Sequence, residues 1–423
     1  MGHDREMIGI RCDANSIIAS GHMMRCLTIA KELVRQGEPV TFFVADEKSG
    51  ELFERYAGAN PVSAEAGKNA SKEKPETIAA AQEIRLVVMD TDWQDMEGEL
   101  SILEKELSER DIRCLLVDSY KVTKTYFQRL REICPVAYLD DLNADTYPVD
   151  MLINYSGYYR TLGYEEAYKN VCGHRGLPTK LLLGLEYAPL REQFYRPEEP
   201  RKSGAGDKAC PGDSEEGSCY ESENEYNILL TSGGADTRGM LHSTLLEAEK
   251  EGLIASGSSD DLSGAGCGED VHGNSCYKLR WHVVVGSLVR DDAAITEFAK
   301  AHPSVQIHRS VTDMAGLMRS CDASICAAGT MLTECAAIGL PAIFYQVADN
   351  QKYNVEFWSS TGGMIFAGDA TEETKGVIEK TCRELKALLP DKNKLEEMKK
   401  SLFGLTDGCG AKRIAAALLD QET

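Results

Sequence analysis

The sequence of this 423-residue chain has no apolar run long enough to span a bilayer and no C-x-x-C pair among its 14 cysteines. Its first residues do not form the basic and then apolar pattern of a secretory signal. Most cysteines stand within apolar or helical patterns, where a free thiol packs as a small core side chain. We therefore expect a protein of the reducing cytoplasm, without a membrane-spanning segment and without a disulfide framework.

Basic residues are scarce relative to acidic ones. The chain has 46 Lys and Arg against 68 Asp and Glu, which gives a formal net charge of -22. Since Lys and Arg supply most phosphate affinity, we expect neither nucleic acid nor an anionic membrane as a partner. Much of the acidity lies in two Gly/Ser-rich segments, 197–226 and 255–276, which have little to bury and are predicted to be flexible insertions.

Strand and helix patterns alternate in both halves of the chain, which predicts an α/β fold of parallel sheets covered by helices. The length favours two domains, 1–196 and 227–423, on either side of the first acidic segment. We expect two Rossmann-like domains that face each other across a cleft. The predicted strands are 8–10, 39–44, 85–89, 114–117, 136–139, 151–153, 228–231, 281–285, 305–307, 323–327 and 341–344. The predicted helices, beyond one that opens at Gly21, are 50–56, 76–83, 100–110, 125–132, 243–251, 293–301, 313–319 and 331–338.

The segment Ile8–Lys31 is the first candidate for chemistry. A short apolar strand is followed by Gly21, which can adopt any backbone conformation that a turn requires, and by a helix with one apolar stripe. His22 falls in the first turn of that helix, where the helix dipole favours the neutral imidazole that can take a proton from water. Arg25 is predicted to face solvent or the cleft. The alternative is a histidine that only caps or packs.

Acidic residues follow several predicted strands of the first half. They are Asp13, Asp90, Asp118, Asp140 and Asp141. The carboxyl ends of parallel strands line the crevice in which open α/β folds bind ligands. We therefore expect a ligand site at this edge of the first sheet.

Two loops of the second half predict an anion site. The loop Ser232–Asp236, which contains Gly233 and Gly234, follows one strand, and Ala328 and Gly329 follow another and lead into a helix that starts near Thr330. Small residues let the backbone approach a ligand, and free N–H groups at a helix start can hold a diphosphate without a metal. Glu334, one turn into the helix, is placed to accept hydrogen bonds from ribose hydroxyls. Its alternative is ordinary first-turn acidity.

Several sequence blocks resemble one known family. They include RCDANSIIASGHMMRC at 11–26, LVDSY at 116–120, LLTSGGAD at 229–236 and AAGTMLTECAAIGLPAIFYQVADNQ at 327–351. Together they resemble the UDP-sugar hydrolases of pseudaminic acid biosynthesis and the related spore coat polysaccharide proteins of the glycosyltransferase B (GT-B) superfamily. The resemblance implies cleavage of a UDP-linked 2,4-diacetamido-2,4,6-trideoxy-β-L-altropyranose to the free sugar and UDP, with no metal and no cofactor.

The resemblance also implies roles for individual residues. His22 would activate water at the anomeric carbon, Asp13 and Gly21 would shape its loop, Tyr120 would contact the sugar, and Asn350 would reach into the cleft. The uracil would bind near His308 and Val311. The predicted catalytic residues are His22, Asp13, Tyr120 and Asn350, and the predicted substrate-binding residues are Gly21, Arg25, Ser232, Gly233, Gly234, Ala328, Gly329, Thr330, Met331, Glu334, His308, Val311 and Gln351.

Two other functions remain open on the sequence. A GT-B glycosyltransferase of cell-surface or spore coat polysaccharide synthesis would share the fold and the UDP-sugar site and would differ only in its acceptor. A nucleotide-sugar binding module without catalysis would tolerate the loss of His22. The sequence fixes neither the sugar epimer nor the oligomeric state.

Overall fold

A computed structural model of the chain describes residues 7–14, 21–57, 84–196, 225–255, 277–286, 289 and 292–420. The described residues form two compact units. The first unit comprises those of Met1–Glu192 and Thr406–Thr423, and the second comprises those of Gln193–Leu405. The predicted helix 76–83 and most of the two Gly/Ser-rich segments, 197–224 and 256–276, lie outside the described residues.

The first unit is a parallel sheet with the strand order β3-β2-β1-β4-β5-β6-β7. Its strands are β1 Met7–Cys12, β2 Val40–Val44, β3 Ile84–Val88, β4 Ile112–Asp118, β5 Val136–Leu139, β6 Met151–Asn154 and β7 Lys180–Leu183. Its helices are α1 Gly21–Arg35, α2 Glu47–Ala57, α3 Leu100–Glu109, α4 Lys124–Leu130, the single turns α5 Tyr159–Leu162 and α6 Tyr164–Ala167, and α14 Gly410–Leu419. Short 3₁₀ turns lie at His174–Gly176, Leu185–Tyr187 and Glu192–Phe194.

The strand order of the first sheet reverses between β1 and β4. All six residues of β1 are buried, as expected for a central parallel strand that is covered on both faces. β1 pairs in parallel with both β2 and β4. At such a reversal the loops after the two strands diverge and leave a crevice at their carboxyl ends. This edge of the sheet carries Asp13 after β1 and Asp118 at the end of β4.

The second unit repeats this architecture, with the strand order β10-β9-β8-β11-β12-β13 and a reversal between β8 and β11. Its strands are β8 Glu225–Thr231, β9 Lys278–Val285, β10 Val305–Arg309, β11 Ala323–Ala327, β12 Ala342–Gln346 and β13 Met364–Asp369. Its helices are α7 Met240–Lys250, α8 Asp292–Ala301, α9 Met314–Arg319, α10 Met331–Ile338, α11 Lys352–Ser360, α12 Thr374–Leu388 and α13 Lys392–Leu402. A 3₁₀ turn lies at Asp349–Gln351.

The C-terminal segment differs from the sequence-based expectation, which assigned 227–423 to one domain. Thr406–Thr423 belongs to the first unit. There α14 places Ile414, Ala415 and Leu418 in the same core cluster as β1 and α1. This helix was not predicted from the sequence, and an apolar helix face does not by itself say which of two similar sheets it covers.

The strands expected from the sequence are present, several of them one to three residues longer than predicted. β7 and β13 were not predicted. Both lie at an edge of their sheet and are only partly buried. Their apolar stretches, LLL in β7 and MIFA in β13, are too short for periodicity alone to identify a strand. No helix in the described part of the chain is both long and apolar enough to cross a membrane.

Candidate active site

The first cluster of functional side chains lies where the strand order of the first sheet reverses. His22 is the second residue of α1, which follows β1 in the chain, and Asp118 is the last residue of β4. Nδ1 of His22 lies 2.7 Å from Oδ1 of Asp118. His22 is 7% exposed, and its Nε2 atom has no protein partner among the described residues. The sequence-predicted base is thus paired with a buried carboxylate through one ring nitrogen only.

Asp118 is held from a second side by Arg25, one turn further along α1. Nε and Nη2 of Arg25 donate hydrogen bonds of 2.5 Å each to the two oxygens of Asp118. Burial by itself raises the pKa of this carboxyl, but Arg25 and then His22 outweigh burial and hold the pKa well below its ordinary value. Asp118 therefore stays ionised beside the imidazole.

Arg25 lies beneath this site and is largely committed to protein partners. Besides Asp118, its Nη1 donates a 2.6 Å hydrogen bond to the hydroxyl of Tyr155 and lies 3.7 Å from Oδ2 of Asp141. Burial lowers the pKa of Arg25, but Asp118, Tyr155 and Asp141 together outweigh burial and raise the pKa above its ordinary value. A fork of this kind fixes the carboxylate in one orientation.

Tyr120 lies beside His22, and its contact with the sugar stays a prediction. Its ring meets the imidazole edge to face, with centroids 4.8 Å apart. Its hydroxyl donates a 2.9 Å hydrogen bond to Oδ2 of Asp141, and the side chain is still 47% exposed. Burial and the carboxylate of Asp141 raise the pKa of Tyr120 well above its ordinary value, so the phenol stays protonated.

Asp13 occupies a different network from His22. Its Oδ2 accepts a 2.6 Å hydrogen bond from Nη1 of Arg11, and its Oδ1 accepts one of 2.8 Å from the backbone N–H of Ala45. The fully buried Arg11 also forms a bidentate pair with Glu99. Gly21 is exposed, and a Cβ added there would meet no atom within 4 Å. Asp13 thus anchors the end of β1, from which the chain continues toward α1.

The second unit places its two small-residue loops at the ends of the neighbouring strands β8 and β11, which pair in parallel. Gly233 has a φ of +77°, in the left-handed region that favours glycine, and Ser232 is nearly buried. Asp236 does not face a ligand, because its carboxylate accepts the backbone N–H groups of Met240 and Leu241 at the start of α7. The open part of this loop is therefore Gly233 and Gly234.

The loop after β11 leaves two backbone donors free. The N–H of Ala328 donates to Tyr345 O and that of Gly329 donates to Ala327 O. The N–H groups of Thr330 and Met331, at the start of α10, have no protein acceptor in the described part of the chain. A Cβ added at Gly329 would meet nothing within 4 Å, so the space in front of this backbone is open. Glu334 lies half-buried in the first turn of α10.

His308 lies on β10 and is paired with a second histidine. Its Nε2 lies 3.0 Å from Nδ1 of His282, and Nε2 of His282 lies 3.1 Å from Oδ1 of Asn227. Burial lowers the pKa of both imidazoles. Val311 is half-buried just beyond β10. The contact of this region with uracil stays a prediction.

Asn350 and Gln351 lie in the 3₁₀ turn before α11. Asn350 is exposed, whereas Oε1 of Gln351 accepts a 2.8 Å hydrogen bond from the backbone N–H of Val347 and so closes its own turn. Their predicted roles in substrate binding also stay predictions.

Three residues of these sites were not identified as functional from the sequence. Asp118 and Asp141 were noted only as acids after strands, because their pairing with His22, Arg25 and Tyr120 depends on the tertiary fold. Gly286 follows β9, and a Cβ there would lie 2.4 Å from Gly234 O and 2.6 Å from Gly233 O. A lone glycine after a strand gives no signal that it packs against another loop.

Comparison with known proteins finds a match to a family model for one segment of the chain. Residues 272–414 match the glycosyltransferase family 28 C-terminal domain. The spore coat polysaccharide biosynthesis protein SpsG of Bacillus subtilis (strain 168) is 22% identical over 207 residues, which cover 46% of this chain and 50% of SpsG. The match therefore spans about half the length of that curated relative. It agrees with the resemblance to spore coat polysaccharide proteins, whereas the specific hydrolase remains a prediction.

Solved structures match the fold of nearly the whole chain. MurG of Acinetobacter baumannii is similar with a TM-score of 0.57 at 14% identity, and the match covers 99% of this chain and 100% of MurG. UGT2 of Phytolacca americana, complexed with UDP-2-fluoro-glucose and pterostilbene, has a TM-score of 0.57 at 10% identity and covers 100% of this chain and 99% of its own. The expected fold class is confirmed: the chain has two parallel-sheet α/β domains, and its fold is similar to that of solved GT-B glycosyltransferases.

Proposed function

We propose that this protein cleaves the bond between the anomeric carbon of a sugar and the diphosphate of UDP, with His22 as the general base for the attacking hydroxyl. The arrangement of His22, Asp118 and Arg25 carries this proposal. It lies at the strand-order reversal, where α/β folds place their ligands. A histidine that only packs would not need an ionised carboxylate held in a fixed orientation by a partly buried arginine.

His22, paired with Asp118, can act as a base through its Nε2 atom. Because the ionised carboxylate of Asp118 lies beside Nδ1, the neutral imidazole keeps its proton on Nδ1 and its lone pair on Nε2. As the nucleophile attacks the anomeric carbon, its proton passes to Nε2, and Asp118 stabilises the resulting imidazolium. General base catalysis of this kind contributes roughly 100- to 10,000-fold in rate.

The second unit would bind the leaving group. The electron pair of the broken carbon–oxygen bond stays on UDP, so negative charge grows on the departing phosphate. The free N–H groups of Thr330 and Met331 and the backbone of Ser232–Gly234 would hold that charge, as the N-termini of helices commonly do. Glu334 would accept the ribose hydroxyls, and His308 and Val311 would lie near the base. Arg25 would act through Asp118.

The first form of the proposal is glycosyl transfer to a hydroxyl acceptor in polysaccharide synthesis. The match of residues 272–414 to a glycosyltransferase C-terminal domain and the similarity to SpsG support it. In this form the acceptor oxygen bonds to the anomeric carbon and its proton goes to His22.

The second form is hydrolysis, in which water takes the place of the acceptor. It is favoured by the blocks around His22 and Tyr120 that resemble the UDP-sugar hydrolases of pseudaminic acid biosynthesis. The substrate would then be the UDP-linked 2,4-diacetamido-2,4,6-trideoxyhexose, and the products the free sugar and UDP. Asp13, Tyr120, Asn350 and Gln351 would keep the roles that the resemblance implies.

A UDP-release assay tests the proposal and separates its two forms. The purified chain is incubated with a panel of UDP-sugars, each with and without candidate hydroxyl acceptors and with and without a chelator. His22→Asn serves as the inactive variant and His242→Asn, a half-buried histidine of the second unit, as the matched control.

Acceptor-dependent UDP release would support transfer, and release in water alone would support hydrolysis. In both cases the activity should survive the chelator and His242→Asn and be lost in His22→Asn. Binding of UDP-sugars without release under any condition would overturn the proposal in favour of a binding module.

A further inference from the structure

Asp141 follows β5, and its two carboxylate oxygens have different surroundings. Oδ2 accepts the hydrogen bond from Tyr120 and lies 3.7 Å from Nη1 of Arg25. Oδ1 is buried and has no hydrogen-bond partner in the part of the chain that the structure describes. A buried carboxylate oxygen that has lost water and gained no donor is costly, so such an atom points to a donor that arrives with a ligand.

Two independent contacts connect Asp141 to the base. Tyr120, which Asp141 holds by its hydroxyl, meets the ring of His22 at 4.8 Å. Arg25, which lies beside Asp141, holds the carboxylate of Asp118 that pairs with His22. The unpartnered oxygen therefore belongs to the surroundings of the reacting centre.

The chemistry of this cluster selects hydrogen-bond donors. The hydroxyl proton of Tyr120 is committed to Asp141, so the phenol oxygen offers only lone pairs, as Oδ1 does. The two negative charges of Asp118 and Asp141 exceed the single positive charge of Arg25, so the cluster repels a phosphate. A neutral ligand with hydroxyl or amide donors fits it, and the sugar moiety of a nucleotide sugar is such a ligand.

We propose that Oδ1 of Asp141 binds a hydroxyl or amide donor of the sugar moiety of the UDP-sugar and thereby determines which sugar is accepted. The inference rests on the proposed function, since it takes the ligand to be a UDP-sugar. Asp141 is then a specificity residue that Tyr120 orients, whereas the N–H-rich loops of the second unit take the diphosphate.

Equilibrium binding tests the proposal without turnover. In the His22→Asn background, calorimetry gives the affinities of UDP and of UDP-glucose, UDP-galactose and UDP-N-acetylglucosamine, with and without Asp141→Asn. For the sugar that binds tightest, Asp141→Asn should weaken binding about 10- to 100-fold, the usual effect of losing a hydrogen bond to a charged group. The affinity for UDP should stay the same, because UDP lacks the donor.

Two comparisons separate this role from a structural one. Asp145→Asn makes the same chemical change at an exposed acid four residues further along and should leave every affinity unchanged. Replacing the sugar hydroxyls by fluorine one at a time should reveal one analogue that already binds weakly and that Asp141→Asn weakens no further.

The inference would be overturned if Asp141→Asn weakened UDP and UDP-sugars equally, if it changed nothing, or if no sugar bound more tightly than UDP. The same measurements distinguish failure of this inference from failure of the proposed function. A sugar-dependent loss of affinity in Asp141→Asn, together with a wild-type chain that releases no UDP, would retain this inference and reject the catalytic proposal.

Discussion

At the scale of single residues, the fixed point of the site is the carboxylate of Asp118. It contacts His22 and is held by the guanidinium of Arg25 through both oxygens. Because His22 and Arg25 both bind it at the end of a buried strand, this carboxylate is held in one orientation. It in turn holds the imidazole of His22 in one orientation. In the proposed reaction Asp118 would act through His22, as a positioning residue.

Asp118→Asn tests this positioning role. The amide keeps the shape but removes the charge that stabilises the imidazolium, so kcat for UDP release should fall roughly 100-fold or more. KM and the affinity for UDP should change little, because the loops proposed to bind UDP lie in the second unit. Steady-state kinetics measure this, with Asp145→Asn as the surface control, and an unchanged kcat would contradict it.

Asp118 also predicts a pH dependence of stability. Its folded-state pKa lies below the ordinary value of about 3.9 for aspartate, since Arg25 and His22 outweigh the opposing effect of burial. The ionised group therefore stabilises the fold above about pH 4, and this stabilisation is lost as the pH falls toward the folded-state pKa.

Chemical denaturation between about pH 5 and pH 3 measures this contribution. The free energy of unfolding of the wild-type chain should fall more steeply with decreasing pH than that of Asp118→Asn. Parallel curves for the two proteins would show that Asp118 is not stabilised by its partners in the folded state.

At the scale of elements, the second unit packs one loop against another. Gly286 directly follows β9, and its Cα lies so close to the Gly233–Gly234 loop that a Cβ would collide with backbone oxygens. The loop before α10 is the opposite case, since Gly329 faces open space. One glycine is thus needed by the fold, and the other leaves room for a ligand.

The two glycines give a matched pair of variants. Gly286→Ala should displace the Gly233–Gly234 loop and lower both the thermal midpoint and the affinity for UDP. Gly329→Ala should leave the thermal midpoint unchanged and lower only the affinity for UDP, because its methyl group would occupy the space of the diphosphate. Calorimetry and thermal unfolding measure both, and unchanged UDP affinity in Gly329→Ala would move the phosphate site elsewhere.

Many of the strands and helices were predictable from the sequence. The central strands were predicted because buried parallel strands are continuous apolar runs, and the place of His22 at a helix start was predicted because it follows one of them. The edge strands β7 and β13 contain only short apolar stretches. Asp118 and Asp141 were visible only as strand-end acids, because the partner of a carboxylate across a sheet has no fixed spacing in sequence.

At the scale of the whole molecule, the chain leaves the first unit after Glu192 and returns to it at Thr406. The returning segment contains α14 and contacts the rest of the first unit at several points. Arg413 pairs with Asp407 and donates a 2.8 Å hydrogen bond to Glu186 O, and Gly410 packs against the backbone of Tyr187 and Ala188. Because α14 packs on α1, the last helix of the chain supports the helix that carries His22.

Gly410→Ala tests this long-range support. A Cβ at Gly410 would lie 2.2 Å from Ala188 O, so the helix must shift, at a cost of about 1–3 kcal/mol in the free energy of unfolding. Hydrogen exchange should show faster opening of α1 and α14 and unchanged strands in the second unit. Ala416→Ser, on the exposed side of α14, is the control, and uniform loss of protection in both units would contradict the assignment.

The proposed base role of His22 is tested most directly by the single-turnover rate of UDP release in His22→Asn, measured beside the affinity of that variant for UDP. If His22 is the base, the rate should be at least about 100-fold below wild type, with an unchanged dissociation constant for UDP. A variant that binds UDP normally and still releases it at the wild-type rate would show that another group takes the proton and that His22 is not the base.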